Sequence, residues 1–257
     1  MNLVSIIMNC HNGEKFLSES LSSILNQTYN NWEIIFFDNA SNDKSREILK
    51  NYNDKRIKYF KNNKLVDLYK ARNLAVDQCS GEYISFLDTD DLWTPDKLEK
   101  QINFIQQNNQ FKIVYSNYYL LENKKKSIKH KMNLPSGLIT QKLLDYYSLG
   151  IATVLLEKSF FQEYKFNEKY NIIGDFDFFI RLSKKYEIGS IQEPLAFYRL
   201  HDSNFSIKRS NLYIEELDKW INENEEQLLL SKLSLRQQKI LLSKLKIKYF
   251  FKSFFRF

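Results

Sequence analysis

The stretch Ser80–Trp93, reading Ser-Gly-Glu-Tyr-Ile-Ser-Phe-Leu-Asp-Thr-Asp-Asp-Leu-Trp, constrains the fold more than any other in the chain. A turn at Ser80-Gly81 precedes an apolar run, Tyr83 to Leu87, with the length and β-rich content of a buried strand. The run stops at three carboxylates, Asp88, Asp90 and Asp91, and helix-like sequence resumes at Thr94-Pro95. A buried strand that delivers acids at its carboxyl end belongs in an open α/β sheet, where strand ends bind ligands. Asp88 and Asp90 lie two apart, so in extended backbone they point the same way. Hard oxygen ligands with room for water suit Mg2+ or Mn2+ that also holds a substrate phosphate. A solvated acidic turn is the alternative that the motif alone leaves open.

The neighbours support a sheet. Strand-like runs at Leu3 to Met8, Trp32 to Phe37 and Arg56 to Phe60 alternate with helical patterns at Glu14 to Asn26, a segment through Leu49, and Leu68 to Cys79. Asn42 or Asp43 can cap the second helix. This alternation predicts an α/β fold with a mostly parallel central sheet and helices on both faces. Farther on, a helix is expected from Lys97 to Gln107. Strands are expected at Lys112 to Ser116, Tyr118 to Leu121, Ile151 to Leu156, Ile188 to Ile191 and Leu195 to Arg199, with a helix at Asp175 to Lys185. Asn123 to Lys131 reads as a solvated loop with five lysines, with contact to an acidic acceptor as the weaker option. Two helical segments, about 212–230 and 235–255, form a C-terminal helical tail, and Ser234-x-x-Gln237 reads as a capping box for the second.

Function classes can be excluded early. No two of the six glycines are close enough for a Gly-x-Gly-x-x-Gly turn or a P-loop. The two cysteines, Cys10 and Cys79, form no metal-spaced pair and fit a reducing compartment. The net charge of +7 is concentrated at one end. Residues 227–257 hold eight Lys/Arg and no acid, leaving 30 cationic against 31 acidic side chains elsewhere. A nearly neutral body argues against nucleic acid as a partner. The chain enters its first strand without a basic leader, and no apolar run approaches membrane-spanning length. A cytoplasmic location is expected.

Seven stretches recur in a fixed order. They are Val4 to Asn12, Ser23 to Tyr29, Phe37 to Asp43, Ala71-Arg72-Asn73, Gly81 to Asp91, Gly174 to Leu182 and Tyr198 to His201. Together they resemble the family 2 nucleotide-sugar glycosyltransferases of GT-A fold, over about residues 3 to 205. The resemblance implies inverting transfer of a sugar from a nucleoside diphosphate, a UDP-sugar foremost, to an acceptor hydroxyl. It implies a nucleotide-binding half (1–95), an acceptor half (96–205) and the tail at 206–257.

The resemblance also carries residue roles. Asp90 binds Mn2+ or Mg2+, and Asp88 lies near the metal or the ribose. Asp38 receives the nucleobase, an end-of-strand carboxylate being able to accept an imide N–H; a turn role is its alternative. In the loop from Asn9 to Asn12, both Asn9 and His11 are donor-binding candidates. His11 stands where the family usually has Tyr, which leaves the base open. Arg72 reaches the nucleotide, or else is a surface salt-bridge partner. His201 contacts diphosphate or metal from a closing loop, with a structural histidine as its alternative. Trp93 and Asp91 are weaker acceptor-side candidates, with a packing Trp and a helix-start Asp as alternatives.

Inversion in one step needs a general base facing away from the leaving group. Asp175 and Asp177 are two apart on a helix and do not share a face. Asp177 is four from Arg181, which suits an ion pair, so Asp175 is left free to point into the cleft; the resemblance makes it the base, and an N-cap is its alternative or coexisting role. The family usually has Glu-Asp here, whereas this chain has Gly174-Asp175. The expected role is saccharide assembly at the bacterial surface, on a saccharide or lipid-linked acceptor. The basic, aromatic tail would touch the inner face of the membrane, with packing on the body as the alternative. A non-catalytic sugar-nucleotide or glycan-binding protein is the second reading, and a nucleotidyltransferase the third. The latter lacks its Gly- and Arg-rich N-terminal loop.

Overall fold

The computed structural model describes residues 2–202 and 204–254. Its strands are β1 (Val4–Cys10), β2 (Trp32–Asn39), β3 (Ile57–Asn62), β4 (Tyr83–Phe86), β5 (Leu92–Trp93), β6 (Ile113–Glu122), β7 (Lys125–Ile128), β8 (Leu155–Glu157) and β9 (Gly189–Arg199). The helices are α1 (Leu17–Leu25), α2 (Ser45–Lys50), α3 (Leu68–Val76), α4 (Lys97–Gln107), α5 (Thr140–Asp145) and α6 (Phe160–Glu163). They continue as α7 (Gly174–Ser183), α8 (Phe205–Lys208), α9 (Ser210–Leu230) and α10 (Arg236–Phe254). One sheet runs β3-β2-β1-β4-β8-β6-β9-β5, with β7 on β6. Strands β3, β2, β1 and β4 are parallel, and β8 turns the sheet antiparallel before the parallel pair β6·β9.

The period of two along β1 explains why both faces are covered. Val4, Ile6 and Met8 enter one core with α1, α4 and Trp93. Ile7 enters the other, with α3, α5, α7 and α9. The polar sites therefore collect where β1, β2 and β4 end together.

Several expectations need correction. The two strands expected on either side of Asn117 are one strand, β6, whose register on β9 shifts there. The two expected at 188–199 are likewise one, β9. The lysine-rich loop folds back as β7, through Asn123 and Lys124 at positive φ. Ile151–Thr153 is a 3-10 turn rather than a strand. The Ser234 box does not close: the Ser234 N–H donates to Gln141 Oε1, so α5 supplies the acceptor that Gln237 was expected to give.

The first tail helix is part of the core. Leu217, Trp220 and Ile221 of α9 are buried with α7. Glu216 accepts the N–H groups of Asn171, Ile172 and Ile173 at 2.7–3.1 Å, satisfying the backbone that leads into α7. Helix α10 docks through Leu235, Gln238 and Leu242, and Lys246 pairs with Asp218. Phe255, Arg256 and Phe257 lie outside the described residues.

Candidate active site

After Phe86 the chain does not stay extended. It turns, with the Asp91 N–H reaching the Asp88 carbonyl at 3.1 Å, so the extended-backbone spacing does not apply, although Asp88 still lies close enough for its charge to act on Asp90. The turn is clamped from two sides. From α1, the Ser20 hydroxyl lies 2.8 and 2.7 Å from the carbonyls of Thr89 and Asp91. From the end of β9, the Arg199 backbone N–H donates to Asp91 Oδ1 at 2.9 Å, and its guanidinium donates to the Asp90 carbonyl and to Glu19. The first loop comes close as well, since a Cβ on Gly13 would sit 2.7 Å from Thr89 Oγ1.

Each acid of the motif has a separate fate. Asp88 accepts from Arg72 Nη2 at 2.7 and 3.0 Å. Arg72 is 2 % exposed, which overturns its surface reading. Burial works against the Arg72 charge, but Asp88 beside it more than offsets this and keeps the guanidinium protonated. Asp90 Oδ2 lies 2.9 Å from His201 Nε2, and the imidazole also packs on Phe16. Burial, then the Asp88 charge, raises the Asp90 carboxyl above its ordinary value, while His201 opposes the rise. Asp91 is buried and spent on the Arg199 N–H, so it braces the turn.

Trp93 takes its packing alternative. It is buried in the α1/α4 core, on the opposite face of the sheet from the α7 core, and its indole donates to the Ala152 carbonyl at 2.8 Å. Asp38 is buried in its turn role, accepting the Ser41 N–H at 2.8 Å and the Tyr59 hydroxyl at 2.7 Å. Ala40, two residues on, holds a positive φ of 59°, so the chain leaves β2 through a strained position. His11 is exposed, with Nδ1 donating to the Asn39 carbonyl at 3.0 Å. Asn9 differs from all of these: both polar atoms of its amide are shielded from solvent without a hydrogen-bond partner among the described residues. Such groups are rare, and one left unpaired costs about 1–3 kcal/mol.

Asp175 opens α7, partly exposed, with Tyr69 hydroxyl 2.9 Å from Oδ1 and Tyr147 hydroxyl 3.4 Å from Oδ2. Burial raises its carboxyl above the ordinary value, with Arg72 and the Tyr69 hydroxyl pulling it back. Asp177 points elsewhere. Its oxygens accept Arg181 Nε at 2.9 Å and the indole N–H of Trp220 at 3.0 Å, tying α7 to α9. Arg72 connects the two halves: it holds Asp88 and lies over the Tyr69 ring, which in turn holds Asp175. Tyr69 and Tyr147 were missed in the sequence. The signal pointing to Tyr69 was Gly174, where the family usually has Glu.

Comparison with known proteins now settles the family. The family model described as Glycosyl transferase family 2 matches residues 5–187. The chain belongs to glycosyl transferase family 2. This family 2 transferase is 35 % identical over 220 residues to the Escherichia coli UDP-Glc:alpha-D-GlcNAc-diphosphoundecaprenol beta-1,3-glucosyltransferase WfgD, covering 85 % of this chain and 84 % of that one. A second E. coli protein of the same described activity, WfaP, is 32 % identical over 210 residues, 81 % of this chain and 82 % of its own. Among solved structures, S. aureus TarS 1–349 superposes with a TM-score of 0.70 at 19 % identity, covering all of this chain and 73 % of that one. The mannosyltransferase PcManGT of Pyrobaculum calidifontis, solved with GDP-Man and Mn2+, gives 0.63 at 15 % identity, covering 85 % and 64 %. These confirm the GT-A fold for the family 2 transferase.

Proposed function

We propose that this glycosyltransferase moves a sugar from a UDP-sugar, with inversion and with the help of Mn2+ or Mg2+, onto a saccharide carried by a membrane lipid. The observation that carries the reading is the linked set Asp90, Asp88, Arg72, Tyr69 and Asp175, which joins an acidic strand end to a half-buried carboxylate on a second wall. The relatives WfgD and WfaP, named for UDP-Glc and a lipid-diphosphate acceptor, make UDP-Glc the first donor to test.

The donor set fits a cation that brings most of its own ligands. Among the described residues, no group of three or more His, Cys, Asp or Glu is arranged to hold a metal by itself. Two carboxylates with room for phosphate oxygens and water are what Mg2+ or Mn2+ takes in such sites. Asp90 would be the principal ligand, with Asp88 beside it and His201 orienting Asp90. When bound, the cation stabilises charge on the leaving diphosphate as a Lewis acid. Arg72 remains charged beside Asp88 and adds a fixed positive charge. The unpaired amide of Asn9 and the exposed ring of His11 stand at the end of β1 as nucleoside contacts, with Asp38 as the candidate for the base.

Asp175 has the chemistry of the base. A carboxyl raised by burial takes a proton at neutral pH more readily than a solvated one. The proton of the acceptor hydroxyl passes to Asp175, its oxygen bonds the anomeric carbon, and the diphosphate oxygen leaves with the electron pair. A binding module has no use for such a group.

The tail supports an acceptor held at a membrane surface. No helix of the described residues is long and apolar enough to cross a membrane. At 100° per residue, Ile240 and Ile247 lie opposite the docked row of Leu235, Gln238 and Leu242, flanked by Lys244. Apolar side chains between lysines suit the anionic inner surface of a membrane.

The deciding experiment is turnover of a panel of nucleoside diphosphate sugars with a lipid diphosphate-linked GlcNAc acceptor. It is run with Mn2+, with Mg2+ and with chelator, and the anomeric configuration is read by NMR. Metal-independent turnover, or retained configuration, would overturn the reading.

A further inference from the structure

The place of Gly174 explains how the base is held. A Cβ at position 174 would lie 2.4–2.6 Å from three ring atoms of Tyr69. No larger side chain, Glu included, fits there while Tyr69 stands where it does. Glycine is thus the condition for the phenol to reach Asp175. The Tyr69 ring is buried and backed by Phe166 at 5.2 Å, so its position is fixed by packing.

The hydroxyl has two acceptors and one proton. Its oxygen is 2.9 Å from Asp175 Oδ1 and 3.1 Å from the Ile172 carbonyl. An O–H donates to one of them at a time. An ionised carboxylate is the stronger acceptor, and hydrogen bonds to charged groups are about twice as strong as neutral ones. Tyr147 stands 3.4 Å from Oδ2, beyond the usual O–H···O range, so its hold on that oxygen is the weaker one.

Resting on the reading of Asp175 as the base, we propose that Tyr69 is its positioning residue. The Tyr69 proton points to Oδ1 while Asp175 is ionised, fixing the carboxylate with Oδ2 toward the acceptor. When Oδ2 takes the acceptor's proton, the Tyr69 hydroxyl turns its own proton to the Ile172 carbonyl. Only that hydrogen moves. No buried donor is stranded in either state, so the base changes charge without heavy-atom rearrangement.

The test is Tyr69→Phe, which keeps the ring and its packing. The groups facing Asp175 are Tyr69 and Arg72 from α3, Tyr147 from the segment after α5, Tyr118 from β6 and Tyr213 from α9. Asp177, on its own helix, is turned to Arg181 and Trp220. Burial raises all four tyrosines. They stay neutral through the acidic limb, and Arg72 stays charged. The kcat is read at saturating UDP-sugar and Mn2+, where it reports the bound complex.

Losing one charge-assisted donor should move the acidic limb of kcat up by about one pH unit, with about tenfold lower kcat at its foot. Tyr147→Phe should move it less. The affinity for UDP with Mn2+, by calorimetry, should stay at the wild-type value, which also reports an intact fold. An unmoved limb in Tyr69→Phe overturns the proposal, and so does lost UDP binding. Asp175→Asn separates the two readings. If it is inactive while Tyr69→Phe is unchanged, the base stands and the positioning role falls. If it turns over normally, both fall.

Discussion

Asp175 and Asp177 lie two residues apart on α7, yet their substitutions should have opposite effects. Asp177 is buried and accepts two donors, Arg181 Nε–H and Trp220 Nε1–H. In Asp177→Asn one oxygen becomes an NH2, so one donor loses its acceptor. Trp220 is 1 % exposed, and stranding its indole costs about 1–3 kcal/mol. Arg181 is about a third exposed, and losing its pair costs roughly 0.2–1 kcal/mol. The amide will therefore keep its oxygen on Trp220 and give up Arg181, for a net loss of about 1 kcal/mol. That lowers Tm by about 2–4 °C for a chain of this size. Turnover below the melt should stay within a few-fold of wild type. Asp177→Leu strands both donors and should lose about 3–5 kcal/mol. Asp175→Asn cannot take a proton, and kcat should fall by about 10²–10⁴. Its stability should move the other way. The folded Asp175 carboxyl is raised above the unfolded one, so the folded state holds its proton more tightly. Stability then falls as pH rises through the unfolded value toward the folded one, and the ionised group is a burden at neutral pH. Asp175→Asn should melt higher than wild type at pH 7, with the gap closing below about pH 4. Thermal melts across pH, paired with turnover at 25 °C, check both. An inactive but stable Asp177→Asn beside an active Asp175→Asn would refute the assignment.

Three further outcomes are expected. Asp90→Ala should lose Mn2+-dependent UDP binding by calorimetry while melting at or above the wild-type temperature, because a carboxyl raised by burial is removed; full turnover would end its assignment as metal ligand. Lys97 is fully buried, donates to Ser85 and Gln101, and is held well below its ordinary value by burial. Lys97→Met should be neutral or stabilising at pH 7, its advantage shrinking toward pH 10, and a loss above about 2 kcal/mol would show that the amine's hydrogen bonds matter more. Replacing Ile240 and Ile247 by Asn should weaken co-sedimentation with anionic vesicles about tenfold and leave the melt unchanged; unaltered binding would remove α10 as the membrane contact.

The sequence showed what is periodic or local. The alternation of strands and helices, the acids after Phe86 and the Asp177–Arg181 pair were all visible because neighbours in sequence determine them. Partners distant in sequence were not visible. Arg72 meets Asp88 across the end of a strand, Tyr69 meets Asp175 across 106 residues, and Trp220 meets Asp177 from a helix that resembled an appendage. Trp93 and Asp91 show the same limit: proximity to the motif in sequence left each a cleft role beside a structural one, and the pleat and the turn carry them into the α1/α4 core and onto β9.

Helix α10 shows where periodicity itself fails. A helix docked on one side and wet on the other has one apolar stripe, and that stripe is what a 3.6-residue pattern detects. In α10 the docked row of Leu235, Gln238 and Leu242 is faced from the opposite side by Ile240 and Ile247. Two opposed apolar faces cancel in any average around the axis, so the helix reads as having none. The lysines divide accordingly. Lys239 and Lys246 pair with Glu225 and Asp218 of α9, while Lys244 and Lys248 make no ion pair among the described residues. A sequence that looks like uniform basic character therefore resolves into two edges with different work: one set of lysines fastens the helix to the body, and the other borders an apolar face that the body does not cover.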